Sequence, residues 1–88
     1  MYRNKVTTVT PSFNVVGKVL DDALMEVDKY LDDAFMAGLK EVTIIHGRGA
    51  GILREGLAGM LKTHKHVEKT RKGNYNEGGD GVTIVTLK

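Results

Sequence analysis

A glycine-rich segment, His46 to Gly51, holds the residues best suited to chemistry in this 88-residue sequence. It reads His-Gly-Arg-Gly-Ala-Gly and directly follows the β-branched run from Val42 to Ile45. Glycines let a ligand approach the backbone, and free N–H groups at a helix start attract anions. An arginine among them adds a planar, two-pronged phosphate donor. The residues predicted to bind a nucleic-acid backbone here are Gly47, Arg48, Gly49 and Gly51. The alternative is that the three glycines only form a tight turn.

His46 is the candidate for acid–base work, because imidazole exchanges a proton near neutral pH. A histidine that is hydrogen-bonded at a strand end and shapes the turn is an equally good interpretation. Two further histidines, His64 and His66, flank Lys65. They can bind phosphate when protonated, but we favour simple solvation. Zinc needs a third and a fourth ligand at suitable spacing, and the sequence offers none beside them, so we predict no bound metal.

A second glycine-rich segment, residues 76–81, reads Asn-Glu-Gly-Gly-Asp-Gly and precedes an apolar run. Its acids and glycines would suit a second wall of the phosphate groove or a weak magnesium site. We favour the simpler interpretation, a flexible hairpin loop.

Charge is segregated along the chain although the formal net charge is only +2. Residues 18–45 carry seven acidic and three basic side chains, whereas residues 46–73 carry seven basic and two acidic ones. Segregation of this kind steers a polyanion toward one side of a domain, although surface charges also cluster by chance. The additional cations predicted to bind nucleic acid are Arg54, Lys62, Lys65, Lys69, Arg71 and Lys72.

The elements that must position these residues follow from hydrophobic periodicity. Apolar residues recur at three- and four-residue steps between Val19 and Ala37, which predicts an amphipathic helix. A second helix is expected from Gly51 to Thr63. Strands are predicted by the apolar or mixed runs Phe13–Val16, Val42–Ile45, Val67–Lys72 and Val82–Leu87. The order β-α-β-α-β-β indicates an α/β fold whose last two strands are antiparallel.

Size and composition indicate one domain that folds by packing alone. A chain of 88 residues with 41% hydrophobic residues supports one core, and the absence of cysteine removes disulfides and thiolate sites. We assign residues 1–12 to an N-terminal arm or linker and residues 13–88 to the domain. No apolar run is long enough to span a bilayer and no signal peptide is evident, so we expect a cytoplasmic protein without membrane contact.

Three segments, in the same order along the chain, resemble the Smr (small MutS-related) domain family. They are His46 to Gly51 followed by Leu53-Arg54, Lys29 to Ala34 at the end of the first helix, and Glu77 to Thr83. The similarity runs from about Phe13 to Lys88. In particular, the chain resembles the copy at the C-terminus of the second class of bacterial MutS proteins, the paralogues that suppress recombination.

The resemblance implies a two-layer sandwich with a four-stranded mixed sheet and two helices, similar to the C-terminal domain of bacterial translation initiation factor three. It implies binding to DNA, RNA or ribosomes, nicking endonuclease activity in several members, and an upstream MutS-type ATPase in the full-length protein. It implies no tightly bound cofactor, although cleavage can call on a divalent ion, Mg²⁺ or Mn²⁺. The implied catalytic set is His46, Arg48 and Asn14.

The first family motif, usually Leu-Asp-Leu-His/Arg-Gly, departs from the pattern here. Phe13 to Gly17 occupies it, with Asn14 in place of the usual acid and Val16 in place of the usual His or Arg. An amide neither takes a proton nor holds a divalent ion as a carboxylate does. We therefore carry two main hypotheses, a nicking nuclease and a non-catalytic nucleic-acid-binding module, and a less favoured third, a protein-docking domain.

Overall fold

The computed structural model describes residues 9–49 and 51–88. Four strands and two helices alternate as the periodicity predicts. Their bounds are β1 Ser12–Asn14, α1 Leu20–Met36, β2 Glu41–Ile45, α2 Ile52–Thr63, β3 Val67–Lys72 and β4 Val82–Leu87. Two single 3₁₀ turns, Tyr75–Glu77 and Gly79–Gly81, lie between β3 and β4.

The sheet has the strand order β1-β2-β4-β3, so the last strand in sequence is a central one. β1 runs parallel to β2, and β4 runs antiparallel to both of its neighbours. The predicted α/β fold, its four-stranded mixed sheet and the antiparallel last pair are confirmed. Because β1 and β2 are parallel, their carboxyl ends lie at the same edge of the sheet, where the glycine-rich segment begins.

The core lies between the sheet and the two helices. Leu31 of α1, Leu57 and Leu61 of α2, and Ile44 and Val85 of the sheet are almost completely buried. The three- and four-residue spacing that predicted each helix therefore marks the face that packs on the sheet. No helix among the described residues is long and apolar enough to cross a membrane.

α1 ends because Gly38 adopts a left-handed φ of +83°. The N–H of Gly38 then donates to Phe35 O and that of Leu39 to Ala34 O, each at a distance of 3.0 Å. This pair of bonds is the Schellman pattern, which satisfies carbonyls that the helix leaves unpaired. The helix runs from Leu20 to Met36, one residue shorter at each end than predicted.

The first strand is also shorter than predicted and begins earlier. Asn14 Oδ1 accepts the N–H of Val16 over 2.8 Å, so the chain turns after Asn14 and Val15–Val16 do not continue the strand. Residues 1–8 of the predicted arm lie outside the described part of the chain. Of its remaining residues, Val9 packs against the core and Ser12 begins β1.

Tyr30 of α1 fixes the segment that precedes β1. Its ring stacks on Phe13 with centroids 4.7 Å apart, and its hydroxyl donates to Thr10 O. The residue is only 7% exposed, and this burial raises the pKa of Tyr30 to about 12. The start of β1 is thus held against α1.

Candidate nucleic-acid interface

The glycine turn, residues 46–51, is anchored to the start of β4 through a single carbonyl. The N–H groups of His46 and Gly47 both donate to Gly81 O, over 3.0 and 2.9 Å. Gly47 and Gly51 have φ values of +84° and +85°, a region that L side chains adopt only at a cost. These two glycines are therefore required by the backbone of the turn, whereas Gly49 is not in that region.

A shallow cleft of about 270 Å³ opens over this turn. One side is lined by Val16 and Gly17 of the loop after β1, and the other by residues 46–49 and 51–54. Since β1 and β2 are parallel neighbours, the sheet itself brings these two loops together.

Several residues that line the cleft have a backbone N–H group that no described residue accepts. Among the described residues, the first bond of the α2 ladder is the one from Glu55 N to Gly51 O, with a length of 2.9 Å, and the N–H groups of Ile52 and Leu53 precede it. For the N–H of Arg48, none of the described residues supplies an acceptor. N–H groups of this kind, together with the positive end of a helix dipole, are chemically suited to an anion.

Arg48 is exposed and lies beside the second glycine-rich loop. Its Nη2 atom is 3.2 Å from the position that a Cβ on Gly79 would take, and its Cγ atom is 3.5 Å from the corresponding position on Gly81. The glycines of that loop therefore leave room for the arginine. The structure brings the two glycine-rich segments side by side, although residues 76–81 do not line the cleft itself.

The His46 ring is buried, with only 5% of the residue exposed. Nδ1 lies 2.9 Å from Gly47 O, and Nε2 lies 2.9 Å from Thr83 Oγ1. A carbonyl only accepts hydrogen bonds, so Nδ1 carries a proton, and in the neutral ring Nε2 accepts the Thr83 hydroxyl. Both nitrogens are thus engaged within the protein, which favours the interpretation in which His46 shapes the turn.

Asn14 does not join His46 and Arg48. It is in register with Ile45, so its side chain lies on the sheet face opposite to that of Ile44 and Thr83, where the His46 ring sits. Its carbonyl oxygen is engaged by the N–H of Val16. The structure thus brings two of the three predicted catalytic residues to the cleft edge and leaves the third elsewhere.

The loop between β3 and β4 is more ordered than the flexible hairpin we predicted. Asn74 and Glu77 form a capping box, in which the Glu77 carboxylate accepts Asn74 N–H over 2.7 Å. Arg71 donates to both Glu77 oxygens, and Lys72 Nζ lies 3.3 Å from Asp80 Oδ1. The segment does join the antiparallel strands β3 and β4, as a hairpin loop would, but these bonds hold it in two defined 3₁₀ turns that the expectation of a flexible loop did not include. The two acids face cations of the protein, so they do not fit a magnesium site.

The predicted basic residues fall into three groups. Arg48 and Arg54 lie at the cleft with Gly47, Gly49 and Gly51. Lys62 and Lys65 lie at the other end of α2, roughly 16 Å away at 1.5 Å of rise per residue. Lys69, Arg71 and Lys72 lie on β3, one of the two edge strands, where Arg71 and Lys72 pair with acids. The cations of the second half thus do not form one continuous patch.

His64 and His66 are not solvated as we expected. The His64 side chain is 4% exposed and its Nε2 atom lies 2.9 Å from Asp28 Oδ1 on α1. The His66 ring stacks on Phe35, with centroids 3.9 Å apart. The expectation of solvation is wrong because α1 lies directly against the turn between α2 and β3.

Asp28, Asp32 and His64 bring possible metal-ligand atoms within 4.8 Å of one another, which spacing along the chain did not reveal. The Asp32 Oδ1 atom is buried and, within the described residues, has no hydrogen-bond partner. However, His64 Nδ1 accepts the N–H of His66 over 3.1 Å, so its proton sits on Nε2, the nitrogen that faces the acids. A metal-bound histidine ordinarily donates through its other nitrogen, so this arrangement suits an Nε2–H donor to Asp28 and not a metal ligand.

A divalent ion fits the cleft itself poorly. Mg²⁺ and Mn²⁺ prefer oxygen ligands, above all carboxylates, and none of the described residues lining the cleft is acidic. We therefore route no chemical step through such an ion.

Sequence reasoning missed two features of the site. Thr83 was noted only as the end of a family motif, and its contact with His46 spans 37 positions along the chain. Val16 and Ile52, 54% and 64% exposed, give the cleft an apolar rim. Their signal was an apolar residue directly beside a glycine, Val16 before Gly17 and Ile52 after Gly51.

Comparison with known proteins agrees with this geometry. The Smr domain family model matches residues 13–88. Endonuclease MutS2 of Caldanaerobacter subterraneus subsp. tengcongensis is 59% identical over 83 residues, which are 94% of this chain and 10% of that protein. Endonuclease MutS2 of Caldicellulosiruptor bescii is 55% identical over 84 residues, 96% of this chain and 11% of that protein. The chain thus spans about a tenth of the length of the curated relatives it matches.

Two solved structures share the fold. The Smr domain of Thermus thermophilus MutS2 superposes with a TM-score of 0.87 at 35% identity, covering 90% of this chain and 99% of that one. YdaL, a stand-alone small MutS-related protein from Escherichia coli, gives a TM-score of 0.84 at 26% identity, covering 89% of this chain and 64% of that one. The chain belongs to the Smr domain family, and its sequence places it with the domains of MutS2 proteins.

Proposed function

We propose that this domain binds the sugar-phosphate backbone of DNA or RNA at the glycine turn, with little sequence preference. One observation carries the proposal. Arg48, Ile52 and Leu53 line the cleft, and none of the described residues accepts their backbone N–H groups, while Arg48 and Arg54 supply guanidinium groups to the same cleft. Backbone N–H groups, a helix N-terminus and arginine are the donors that phosphate oxygens accept best.

The low sequence preference follows from the shape of the site. The cleft is shallow and is built mainly from loop backbone, and both of its cations suit phosphate groups. Contacts of this type position a protein on nucleic acid but do not read bases. Specificity for a structure or a location would then come from the remainder of a longer protein, such as an upstream MutS-type ATPase region working on DNA or on the ribosome.

The test is the salt dependence of binding to fluorescent duplex DNA and to RNA of matched length. Removing one phosphate-binding cation lowers the slope of log affinity against log salt by about 0.9. Arg48→Ala combined with Arg54→Ala should therefore reduce the slope by about 2 and weaken binding at low salt. The control is Lys40→Ala combined with Lys88→Ala. These exposed residues lie next to the ends of β2 and β4 that are farthest from the glycine turn.

Two results would count against the proposal. One is wild-type affinity that does not fall as salt rises. The other is an equal reduction in the control pair, which would mean that net charge and not the cleft governs binding.

The second candidate is nicking of DNA or RNA by the same site, and the observation that favours it is that the relatives bear the name endonuclease. His46 and Arg48 are its candidates, with Arg48 stabilising charge on the scissile phosphate. Plasmid nicking by the wild type, His46→Ala and Asn14→Asp, each with Mg²⁺, Mn²⁺ or a chelator, tests it. Loss of nicking in His46→Ala would support catalysis, provided that this variant still folds. Nicking by Asn14→Asp alone would indicate a degenerate enzyme, and no nicking by any variant would leave binding as the function.

A further inference from the structure

We propose that Thr83 is a positioning residue for phosphate binding, which acts through His46 to aim the N–H of Arg48 into the cleft. The inference rests on the proposed function and adds to it a residue that does not line the cleft.

The first step is the hydrogen-bond chain that begins at Thr83. Its hydroxyl lies 2.9 Å from His46 Nε2, and His46 Nδ1 lies 2.9 Å from Gly47 O. Because Gly47 O can only accept, Nδ1 must donate to it. In the neutral ring the remaining lone pair is on Nε2, so Thr83 donates there and stabilises the one tautomer that can hold Gly47 O.

The second step is the geometry of the peptide between Gly47 and Arg48. A trans peptide is planar, and its C=O and N–H point in opposite directions. Since the C=O of Gly47 points to a histidine ring that is 5% exposed, the N–H of Arg48 points away from the buried ring. Arg48 lines the cleft, and none of the described residues accepts its N–H.

The third step is the location of Thr83 in the sheet. It pairs with Ile44, which is fully buried under the helices, so the Thr83 side chain lies at the edge of the core-facing side. A hydroxyl in such a place needs a partner, and His46 is the partner that the structure supplies. Valine has nearly the same shape without the hydroxyl, so Thr83→Val removes the donor and little else.

The experiment compares the wild type, Thr83→Val, Thr83→Ser and Thr86→Val. Thr86 is the matched control because it lies on the same strand and is equally half-buried, but it forms no side-chain hydrogen bond with the described residues. Three readouts are taken for each: ¹⁵N chemical shifts of the His46 ring, the shift of the Arg48 amide on titration with inorganic phosphate, and affinity for duplex DNA at low salt.

In the wild type we expect the His46 ring proton on Nδ1 and a response of the Arg48 amide to phosphate. Thr83→Val should lose the fixed tautomer and the amide response, and should bind DNA about five- to tenfold more weakly, the reduction expected for one hydrogen bond. Thr83→Ser should retain both signals and Thr86→Val should match the wild type. Rescue by serine is the outcome that a role in packing alone would not produce.

Wild-type affinity and amide response in Thr83→Val would overturn the inference while leaving the proposed function intact. Absence of salt-dependent binding in the wild type would overturn the proposed function and the inference with it. If Thr83→Val fails to fold, the measurements on Thr83→Ser test the inference instead. Disappearance of the Arg48 amide response in this folded variant, with the His46 tautomer retained, would overturn the link between the two.

Discussion

The two terminal nitrogens of Arg71 donate to the two carboxylate oxygens of Glu77, at distances of 2.8 and 2.9 Å. This ion pair joins β3 to the loop that lies beside the glycine turn. The hydrogen bonds from Arg71, followed by that from the Asn74 N–H, lower the pKa of Glu77 to about 2. The same carboxylate raises the pKa of Arg71. The pair is exposed, so its effect is expected mainly in how stability responds to acid.

Replacing Glu77 with glutamine should flatten the acid limb of the stability profile. A carboxyl whose pKa is lowered by folding stabilises the folded state above its unfolded pKa, and this contribution disappears as the pH falls through the folded pKa. The difference in unfolding free energy between wild type and Glu77→Gln should therefore shrink between pH 4.5 and about 2. Urea unfolding across this range measures it, with Glu68→Gln on the exposed side of β3 as the control. A constant difference down to the lowest pH would contradict the assignment.

Arg48 and Arg71 should differ in their contribution to nucleic-acid binding, although both are arginines in the basic half of the chain. Arg71 already holds Glu77, while Arg48 is exposed at the cleft. Arg48→Ala should reduce the salt slope of binding by about 1, and Arg71→Ala should leave it nearly unchanged. Fluorescence anisotropy with a single duplex measures both. A larger slope change in Arg71→Ala would place the interface on β3 instead.

Alanine substitutions at two glycines of the turn should have different effects on stability and on binding. Gly47 has a φ of +84°, so Gly47→Ala should destabilise the fold by about 1 to 2 kcal/mol. At Gly49 an added Cβ meets nothing within 4 Å, and the backbone is not left-handed. Gly49→Ala should change stability by less than about 0.5 kcal/mol.

If the ligand approaches the backbone closely, Gly49→Ala should nevertheless weaken binding, because the methyl group stands at the cleft. Thermal unfolding and DNA titration of the same samples distinguish the two effects. Unchanged affinity in Gly49→Ala would show that the ligand does not reach this part of the turn.

His64 should contribute to stability and not to metal binding. Its buried ring joins the end of α2 to Asp28 on α1, so His64→Ala should cost about 2 kcal/mol. Adding Zn²⁺ should not raise the melting temperature of the wild type, since a ligand that binds the folded state would raise it. A rise that disappears in Asp28→Asn would mean that the cluster binds metal after all.

The fold was largely predictable because local, periodic patterns of apolar residues indicate its helices and strands. The recurrence of apolar residues such as Leu31 and Leu57 predicted the helices, and the β-branched run around Ile44 predicted a buried strand. The glycine turn was predictable for the same reason, since the residues that form it are consecutive. The family resemblance added the two-layer sandwich and the single four-stranded mixed sheet, which periodicity alone does not give.

The features that were missed depend on contacts between distant segments. His64 and Asp28 are 36 positions apart, and nothing near His64 in sequence indicates a carboxylate partner. Counting cations likewise overstated the interface, because the partners of Arg71 and Lys72 lie in a loop whose conformation the sequence did not reveal. Whether a charged side chain can bind a ligand or is already paired depends on which residues the fold places beside it.

The position of β4 bears on how the domain is made. The ribosome synthesises β1, β2 and β3 first, yet β2 and β3 are joined only through β4, which lies between them. Until β4 has left the exit tunnel, the nascent chain has an incomplete sheet, and Gly81 O is not there to hold the turn. A nascent chain that ends before this strand therefore lacks the carbonyl that anchors the glycine turn, and with it the cleft that we propose to be the binding site.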